Sequence, residues 1–266
     1  MDLEQYPHAF VAGETGSGKS VILKCMIHQA LEKNYDVSLV DFKRGVSFAS
    51  FKGVVNIHYE YKDTLQLFKK LVEETKKRLD LFRNKGVESL KNYNLCTPNP
   101  LSRKVVFVDE LAELLKIRDK EISNILYDSI ETLTRLSRAV GIHLIMGIQR
   151  PDSTVISGQI KSNVAYRVCG KFVDKEPSRI MLGSDKASLL PNIKGRFIIK
   201  DNEFHEVQAF YYDNSLYKPC REPAVTIPTK DVEEEKEASR ALQASNKTSI
   251  IDFEFNFDNV LKPKED

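Results

Sequence analysis

A glycine-rich stretch, G-E-T-G-S-G-K-S from Gly13 to Ser20, has the residue types and spacing that bind a nucleoside triphosphate. Glycines let backbone N–H groups converge on phosphate oxygens, and a following helix adds the positive end of its dipole. In this pattern Lys19 neutralises the β- and γ-phosphates, and Ser20 offers a hydroxyl to Mg²⁺. The sequence therefore predicts an ATP and Mg²⁺ site, a P-loop, built from Gly13, Glu14, Thr15, Gly16, Ser17, Gly18, Lys19 and Ser20.

Polar residues that could complete this chemistry end two apolar runs further along the chain. Asp109 and Glu110 end the run V-V-F-V-D-E, and Gln149 ends I-H-L-I-M-G-I-Q. Asp109 is predicted to hold Mg²⁺ from its second shell, and Glu110 to polarise the attacking water. An amide at Gln149 could contact the γ-phosphate. Two acids at a strand end would otherwise indicate the start of a solvated loop, and the P-loop upstream favours the catalytic interpretation.

These residues need a sheet that brings strand ends together. Short apolar runs predict strands over 8–13, 36–42, 53–59, 104–110, 142–151, 165–172, 195–200 and 205–212. Apolar residues at helical spacing predict helices over 19–33, 64–82 and 122–141, the last closed by Gly141 as its C-cap. Alternating strands and helices predict an α/β fold with a largely parallel sheet covered by helices on both faces.

Charge is distributed unevenly along the 266 residues. Residues 228–266 contain 6 Lys and Arg against 10 Asp and Glu, a net charge of −4, so the remainder carries +6. A mildly basic body suits a polyanionic partner without establishing one. The sequence predicts a nucleotide-binding domain over 1–215, a polar, disordered linker over 216–249 and an acidic, aromatic peptide over 250–266 that could dock on a protein partner.

Scattered cysteines and the lack of an apolar leader indicate a reduced, cytoplasmic protein. The four cysteines form no C-x-x-C pair, which disfavours a zinc site. No stretch of the sequence is apolar over the length that a membrane span requires.

Four segments together resemble the motor domain of the FtsK/SpoIIIE DNA translocases, especially the coupling ATPases of Gram-positive conjugative elements. They are P-H-A-F-V-A-G-E-T-G-S-G-K-S, V-V-F-V-D-E-L-A-E-L, S-R-A-V-G-I-H-L-I-M-G-I-Q-R-P and V-I-S-G-Q-I-K-S-N-V-A-Y-R-V. V-D-F-K-R-G is also similar to the family's D-x-K motif, which places Asp41 and Lys43 there. The match covers about residues 6–212.

The resemblance implies a RecA-like ATPase that forms a homo-oligomeric ring, typically a hexamer, around double-stranded DNA and moves along it. By position it makes Gln149 the γ-phosphate sensor and Arg138 an arginine finger that reaches the neighbouring subunit. It places Arg150, Lys175 and Arg179 on loops that contact DNA phosphates. A membrane-anchored transfer machinery would be the partner of such a motor.

Several alternatives stay open at the level of sequence. Arg138 could be a surface arginine at a helix C-terminus, Lys175 and Arg179 could be ordinary solvated residues, and Arg167 rivals Arg138 as the finger. ATPases of type VII secretion share the P-loop and a similar D-x-K motif but export protein. A scaffold switched by ATP is a third possibility. The family's membrane-anchoring region, the domain before the motor and the winged helix after it are not in this sequence, so we expect a motor core or a piece of a longer protein.

Overall fold

An eight-stranded sheet forms the centre of the computed structural model, which describes residues 1–44, 46–152 and 156–214. The strands are β1 (Ala9–Ala12), β2 (Asp36–Val40), β3 (Asn56–His58), β4 (Lys104–Val108), β5 (Ile142–Ile148), β6 (Tyr166–Gly170), β7 (Arg196–Lys200) and β8 (Phe204–Gln208). Their order is β3-β2-β4-β5-β1-β6-β7-β8; the first six are parallel, and β7 and β8 are antiparallel to their neighbours. The predicted largely parallel α/β fold is therefore confirmed. The predicted linker and terminal peptide lie outside the described residues.

Seven α-helices accompany the sheet in the described part of the chain. They are α1 (Lys19–Glu32), α2 (Tyr61–Lys85), α3 (Leu90–Leu95), α4 (Leu111–Leu115), α5 (Lys120–Leu136), α6 (Gly158–Asn163) and α7 (Lys175–Leu182). None of these helices has both the length and the apolar character needed to cross a bilayer. The longest, α2, packs its apolar stripe inward and keeps its charged residues on the outer face except Arg78, which is buried and donates to the backbone oxygens of Ser102 and Val140.

Alternating side chains of the central strands bury two separate hydrophobic cores. In β4, Val106 and Val108 belong to the core that includes residues of α2 and α5, whereas Val105 and Phe107 belong to the core that includes α1. This period of two follows from the pleat of a strand. Because β4, β5 and β1 are adjacent and parallel, their carboxyl ends meet at one edge of the sheet, which we call the catalytic edge.

Two predicted boundaries are wrong by four residues or more. The helix α5 ends at Leu136, five residues before Gly141, so Gly141 is not its C-cap. The hydroxyl of Ser137 donates to the backbone oxygen of Ile142 at 2.6 Å, which turns the chain away from the helix axis. The predicted strand over 205–212 also stops early, because β8 ends at Gln208 and the aromatic residues after it leave the sheet.

Two buried histidines lie where β1 and β5 begin. His8 accepts a hydrogen bond from the Leu144 amide at Nδ1, and Nδ1 of His143 lies 2.9 Å from the Pro7 oxygen, a contact in which the ring donates. Nε2 of His143 accepts from Arg103 at 3.0 Å. Burial lowers the pKa of both histidines from 6.5 to about 3, and the neighbouring positive charges act in the same direction.

Acid is therefore expected to destabilise this fold through His8. Its folded pKa of about 3 lies below the unfolded value of 6.5, so its stabilising contribution is complete above pH 6.5 and is lost as pH falls through 6.5 towards 3. At pH 5 the loss is about 2 kcal/mol, from 1.36 kcal/mol per pH unit. His8→Asn keeps an acceptor for the Leu144 amide and cannot titrate. The free energy of unfolding, measured in urea at pH 7.5 and pH 5, should differ between the two pH values by about 2 kcal/mol less in the variant than in the wild type. An equal difference in both proteins would contradict the lowered pKa of His8.

Candidate functional site

The predicted P-loop follows β1 and runs directly into α1. Gly18 has φ 102°, a left-handed conformation that favours glycine, and lies against the turn at Gly195. A Cβ on Gly18 would stand 2.9 Å from the amide nitrogen of Gly195, and that amide donates to the oxygen of Ser17 at 2.8 Å. The turn at Gly195, which precedes β7, thus holds the P-loop in a conformation that only glycine allows without strain.

The two lysines of the site neutralise Asp109 at the end of β4. Lys19 is buried; its Nζ donates to the backbone oxygen of Asp109 and lies 3.1 Å from Oδ1. Lys43 approaches the other carboxylate oxygen at 3.4 Å. Asp41 holds the backbone of Lys43 in place, because its Oδ1 accepts a hydrogen bond from the Lys43 backbone amide at 2.9 Å. Asp109 is therefore a shared counter-ion of two cations that would otherwise repel each other.

Glu110 is held in place by the strand that carries Gln149. The backbone amide of Gln149 donates to both carboxylate oxygens, at 3.0 and 3.3 Å, and the Glu110 side chain is only 7% exposed. Burial raises the pKa of Glu110 above its usual value, although Lys19 at 4.0 Å and the Gln149 amide act against this. A carboxylate with a raised pKa is better suited to accept a proton from water than an exposed one.

Close backbone packing brings these strand ends together. A Cβ at Gly147 in β5 would collide with the backbone oxygen of Asp109 and would lie 3.0 Å from Nζ of Lys19. Glycine at this position therefore lets β5 approach the end of β4, so that Asp109, Glu110 and Gln149 reach one site.

A cleft of about 510 Å³ opens over this arrangement. Its walls come from the P-loop, the strand ends and the segment after β8, and the lining residues are Glu14, Thr15, Gly16, Gly18, Lys19, Ser20, Val21, Lys43, Ser47, Asp109, Gln149, Lys194, Gly195, Gln208, Ala209, Phe210 and Tyr211. The buried hydroxyl of Ser17 has no hydrogen-bond partner among the described residues. A glycine cradle, a buried lysine and a helix N-terminus fit the phosphates of ATP. A cleft of about 520 Å³ near residues 1–4 contains none of the predicted site residues.

Arg138 lies away from this site, in the turn between α5 and β5. It is exposed, and Nη2 donates to the backbone oxygen of Glu4 at 3.3 Å. The seven residues of β5 separate this turn from Gln149, about 23 Å at roughly 3.3 Å per residue. Arg138 therefore sits at the edge of the sheet opposite to its own P-loop.

Arg167, the alternative candidate for the arginine finger, is bound to the backbone of its own chain. Its guanidinium donates to the backbone oxygens of Lys161 at 2.6 Å, Met181 at 2.7 Å and Val164 at 3.1 Å. Burial lowers the pKa of Arg167 from its usual value. Since three carbonyls at the ends of α6 and α7 depend on this group, its release would leave them without their donor.

The three basic residues predicted to bind DNA are exposed near the catalytic edge. Arg150 follows Gln149, whereas Lys175 and Arg179 are four residues apart and share the outer face of α7. Arg179 approaches Asp185 at 4.0 Å, a weak pair at an exposed position. Arg150 also lines a cleft of about 530 Å³ that separates the P-loop from the start of α7.

A direct hydrogen bond joins the P-loop to the segment that begins α7. The Glu14 carboxylate accepts from the Val173 amide at 2.7 Å, and the Glu14 amide donates to the Lys171 oxygen at 3.3 Å. Two residues after Val173, α7 begins with Lys175. One side-chain and one main-chain hydrogen bond of Glu14 thus connect the P-loop to the segment that precedes the helix exposing Lys175 and Arg179.

Some site residues were not recognised in the sequence as part of the nucleotide cleft. Lys43 was placed by its D-x-K motif alone, without a partner, and its contact with Asp109 depends on the pairing of β2 with β4. The apolar pattern predicts a strand through Phe210 and Tyr211. Their consecutive aromatic side chains after a short polar strand were the available signal, but only the position of the β7–β8 hairpin brings them to the P-loop.

The chain is similar to DNA translocases over most of its described length. It is 35% identical over 211 residues to the DNA translocase FtsK of Staphylococcus aureus strain Mu50, a match covering 71% of this chain and 26% of that protein. The corresponding protein of Halalkalibacterium halodurans is 34% identical over 206 residues. The chain therefore spans about a quarter of the length of these relatives.

Solved structures give the same fold. The pCW3 conjugation coupling protein TcpA, solved with ATPγS, matches 82% of this chain and 64% of its own at 44% identity and a TM-score of 0.78. The Thermomonospora curvata type VII secretion ATPase EccC matches 77% of this chain and 25% of its own at 25% identity and a TM-score of 0.64. The sequence model of the FtsK/SpoIIIE family matches residues 1–153, more than half of the chain. With its P-loop and paired carboxylates on a P-loop ATPase fold, the chain belongs to the FtsK/SpoIIIE family.

Proposed function

We propose that residues 1–215 form an ATP-driven motor that moves double-stranded DNA through a homo-oligomeric, hexameric ring during conjugative transfer. The observation that carries this proposal is the connection between the P-loop and the exposed basic face of α7, through the bond from Val173 to Glu14. The 44% identity to a conjugation coupling protein supports the role in conjugation. Such a motor would work in the cytoplasm beside a membrane-anchored transfer machinery.

We propose a separate task for each residue of the site. ATP supplies the phosphoanhydride bond whose hydrolysis drives movement. Lys19 would hold the phosphates, and Ser20 with Asp109 would hold Mg²⁺, Asp109 from the second shell. Glu110 would accept the proton of the attacking water, and Gln149 would sense the γ-phosphate. Because the backbone amide of Gln149 already binds the Glu110 carboxylate, we expect the base and the residue that carries the sensor side chain to move together.

The position of Arg138 supports the ring. Its side chain is exposed at the edge of the sheet opposite to its own P-loop, so an ATP phosphate that it contacts would belong to a neighbouring subunit. An arginine that acts in trans would make hydrolysis depend on assembly.

Export of protein is the second candidate, because EccC shares this fold. The residues around α7 favour DNA instead. Arg150, Lys175 and Arg179 are all exposed, and their positive charges suit a polyanionic backbone. Contacts of this kind would be independent of DNA sequence, as a motor that moves along DNA requires.

Duplex DNA is expected to stimulate ATP hydrolysis, and the stimulation should depend on Lys175 and Arg179. Stimulation is measured with duplexes of increasing length, and affinity by fluorescence anisotropy at several salt concentrations. Neutralising either residue with glutamine should weaken binding equally on unrelated sequences and reduce the slope of log affinity against log salt by about 1, because each phosphate contact releases counterions. Arg150→Gln should behave in the same way.

The matched control is Lys76→Gln, the same loss of one charge at an exposed position on α2. It should leave both the affinity and the salt slope unchanged. Hydrolysis that does not respond to duplex DNA of any length would contradict a DNA motor and favour export. If the slope of log affinity against log salt is unchanged in all three variants, Arg150, Lys175 and Arg179 do not contact DNA phosphates.

A further inference from the structure

The cleft extends beyond the phosphate-binding residues to two exposed aromatic side chains. Phe210 and Tyr211 are 80% and 81% exposed, and both line the cleft that contains Gly16, Lys19 and Ser20. Large aromatic side chains at such exposure leave their ring faces available to a flat partner. Asp109 and Gln149, at the strand ends, line the same cleft.

The segment with these two residues is fixed at both ends. On one side the Ala209 amide donates to the oxygen of Gly195 at 2.7 Å, and Gly195 itself is bonded to Ser17 of the P-loop. On the other side Tyr212 is 7% exposed and its ring stacks on Phe51 with centroids 6.1 Å apart. The exposed aromatic pair is therefore held between two anchors, one of which is bonded to the P-loop.

A second set of contacts ties the same segment to α1, the helix that begins at the P-loop. The thiol of Cys25 lies 3.8 Å from the Phe210 oxygen, and the ring of His28 meets Tyr212 edge-on at 6.0 Å. Lys24 lies 6.0 Å from the centroid of the Tyr212 ring. Because α1 is continuous with the P-loop, these contacts also attach the aromatic pair to the phosphate-binding loop.

We propose that Phe210 and Tyr211 form the platform on which the base of the bound nucleotide stacks. A base carries a π-face, and stacking on aromatic side chains is a common way for proteins to hold it. The side-chain amide of Gln208, which also lines the cleft, is already engaged by the Lys194 oxygen at 2.9 Å and by Arg196 at 3.0 Å. A base in this part of the cleft would therefore contact the ring faces of Phe210 and Tyr211. The inference rests on the ATP site of the proposed function and does not involve DNA.

Equilibrium binding of ATP and of inorganic tripolyphosphate, each with Mg²⁺ and without DNA, tests this platform. In a Phe210→Ala, Tyr211→Ala double variant, the Kd for ATP should rise about tenfold or more, the factor that loss of base stacking produces. The Kd for tripolyphosphate, which has no base, should stay unchanged. Phe204→Ala is the matched control, an exposed aromatic residue on β8 of the same hairpin that does not line the cleft, and should change neither value.

Tryptophan reporters give an independent reading, because the chain contains no tryptophan. Phe210→Trp and Tyr211→Trp keep an aromatic face and should bind ATP with nearly wild-type affinity. Their fluorescence should change on addition of ATP and not of tripolyphosphate. An ATP affinity within twofold of wild type in the double alanine variant, or an equal loss for both ligands, would overturn the platform. Equal fluorescence responses to ATP and tripolyphosphate would overturn it as well.

Discussion

Glu110→Gln is expected to bind ATP and to hydrolyse it about 10²–10⁴-fold more slowly, the range for loss of a general base. Glutamine keeps an oxygen that can accept the Gln149 amide, so the end of β5 stays in place while the proton acceptor is lost. Lys19→Ala should instead lose nucleotide binding, because the removed group contacts phosphate. Filter binding with labelled ATP, followed by analysis of the bound nucleotide, separates trapped ATP from no ATP.

The control is Glu113→Gln, the same chemical change at an exposed position in the first turn of α4. It should bind and hydrolyse ATP as the wild type does. Because Lys19 is a buried partner of Asp109, thermal unfolding of Lys19→Ala must first show a folded protein. Equal loss of binding in the Lys19 and Glu110 variants, or undiminished hydrolysis by Glu110→Gln, would contradict the separate roles.

Arg138→Ala is expected to bind ATP normally, to assemble and to lose about 10³-fold or more in hydrolysis rate, the typical contribution of an arginine finger. The side chain is exposed at the edge of the sheet opposite to the P-loop, so its effect must come through a neighbouring subunit. Mixing Arg138→Ala with Glu110→Gln should recover activity, because some interfaces then combine an intact base with an intact finger. Hydrolysis is measured at a fixed total protein concentration over a series of mixing ratios.

Arg135→Ala provides the matched control, an exposed arginine in the last turn of α5, one helical turn before Arg138. It should retain full activity. Mixtures that co-assemble and stay as inactive as each parent would show that Arg138 does not act in trans. Arg167 is then a poor substitute, since its guanidinium is used by three backbone carbonyls of its own chain.

Helix and strand ends show where local sequence rules stop. The C-cap predicted at Gly141 followed from glycine's preference for left-handed φ, and Gly141 does have φ 74°. Yet α5 ends five residues earlier, because Ser137 bonds to Ile142 across the turn. Aromatic and apolar content predicts a strand over 205–212. The Ala209 amide still bonds to the oxygen of Gly195, the next pair in the β7–β8 register, but the chain leaves the sheet at Phe210.

The sequence by itself determined the P-loop, the carboxylates after β4 and the glutamine after β5. Each lies at the end of a short apolar run, and parallel strands bring such ends to one edge whatever the details of packing. Only the tertiary structure decided which charges meet and which are free. Lys43 reaches Asp109 because β2 pairs with β4, and Arg167 is held by carbonyls from distant residues. Phe210 and Tyr211 reach the nucleotide cleft because an antiparallel hairpin folds back on the P-loop, a long-range contact that no local pattern encodes.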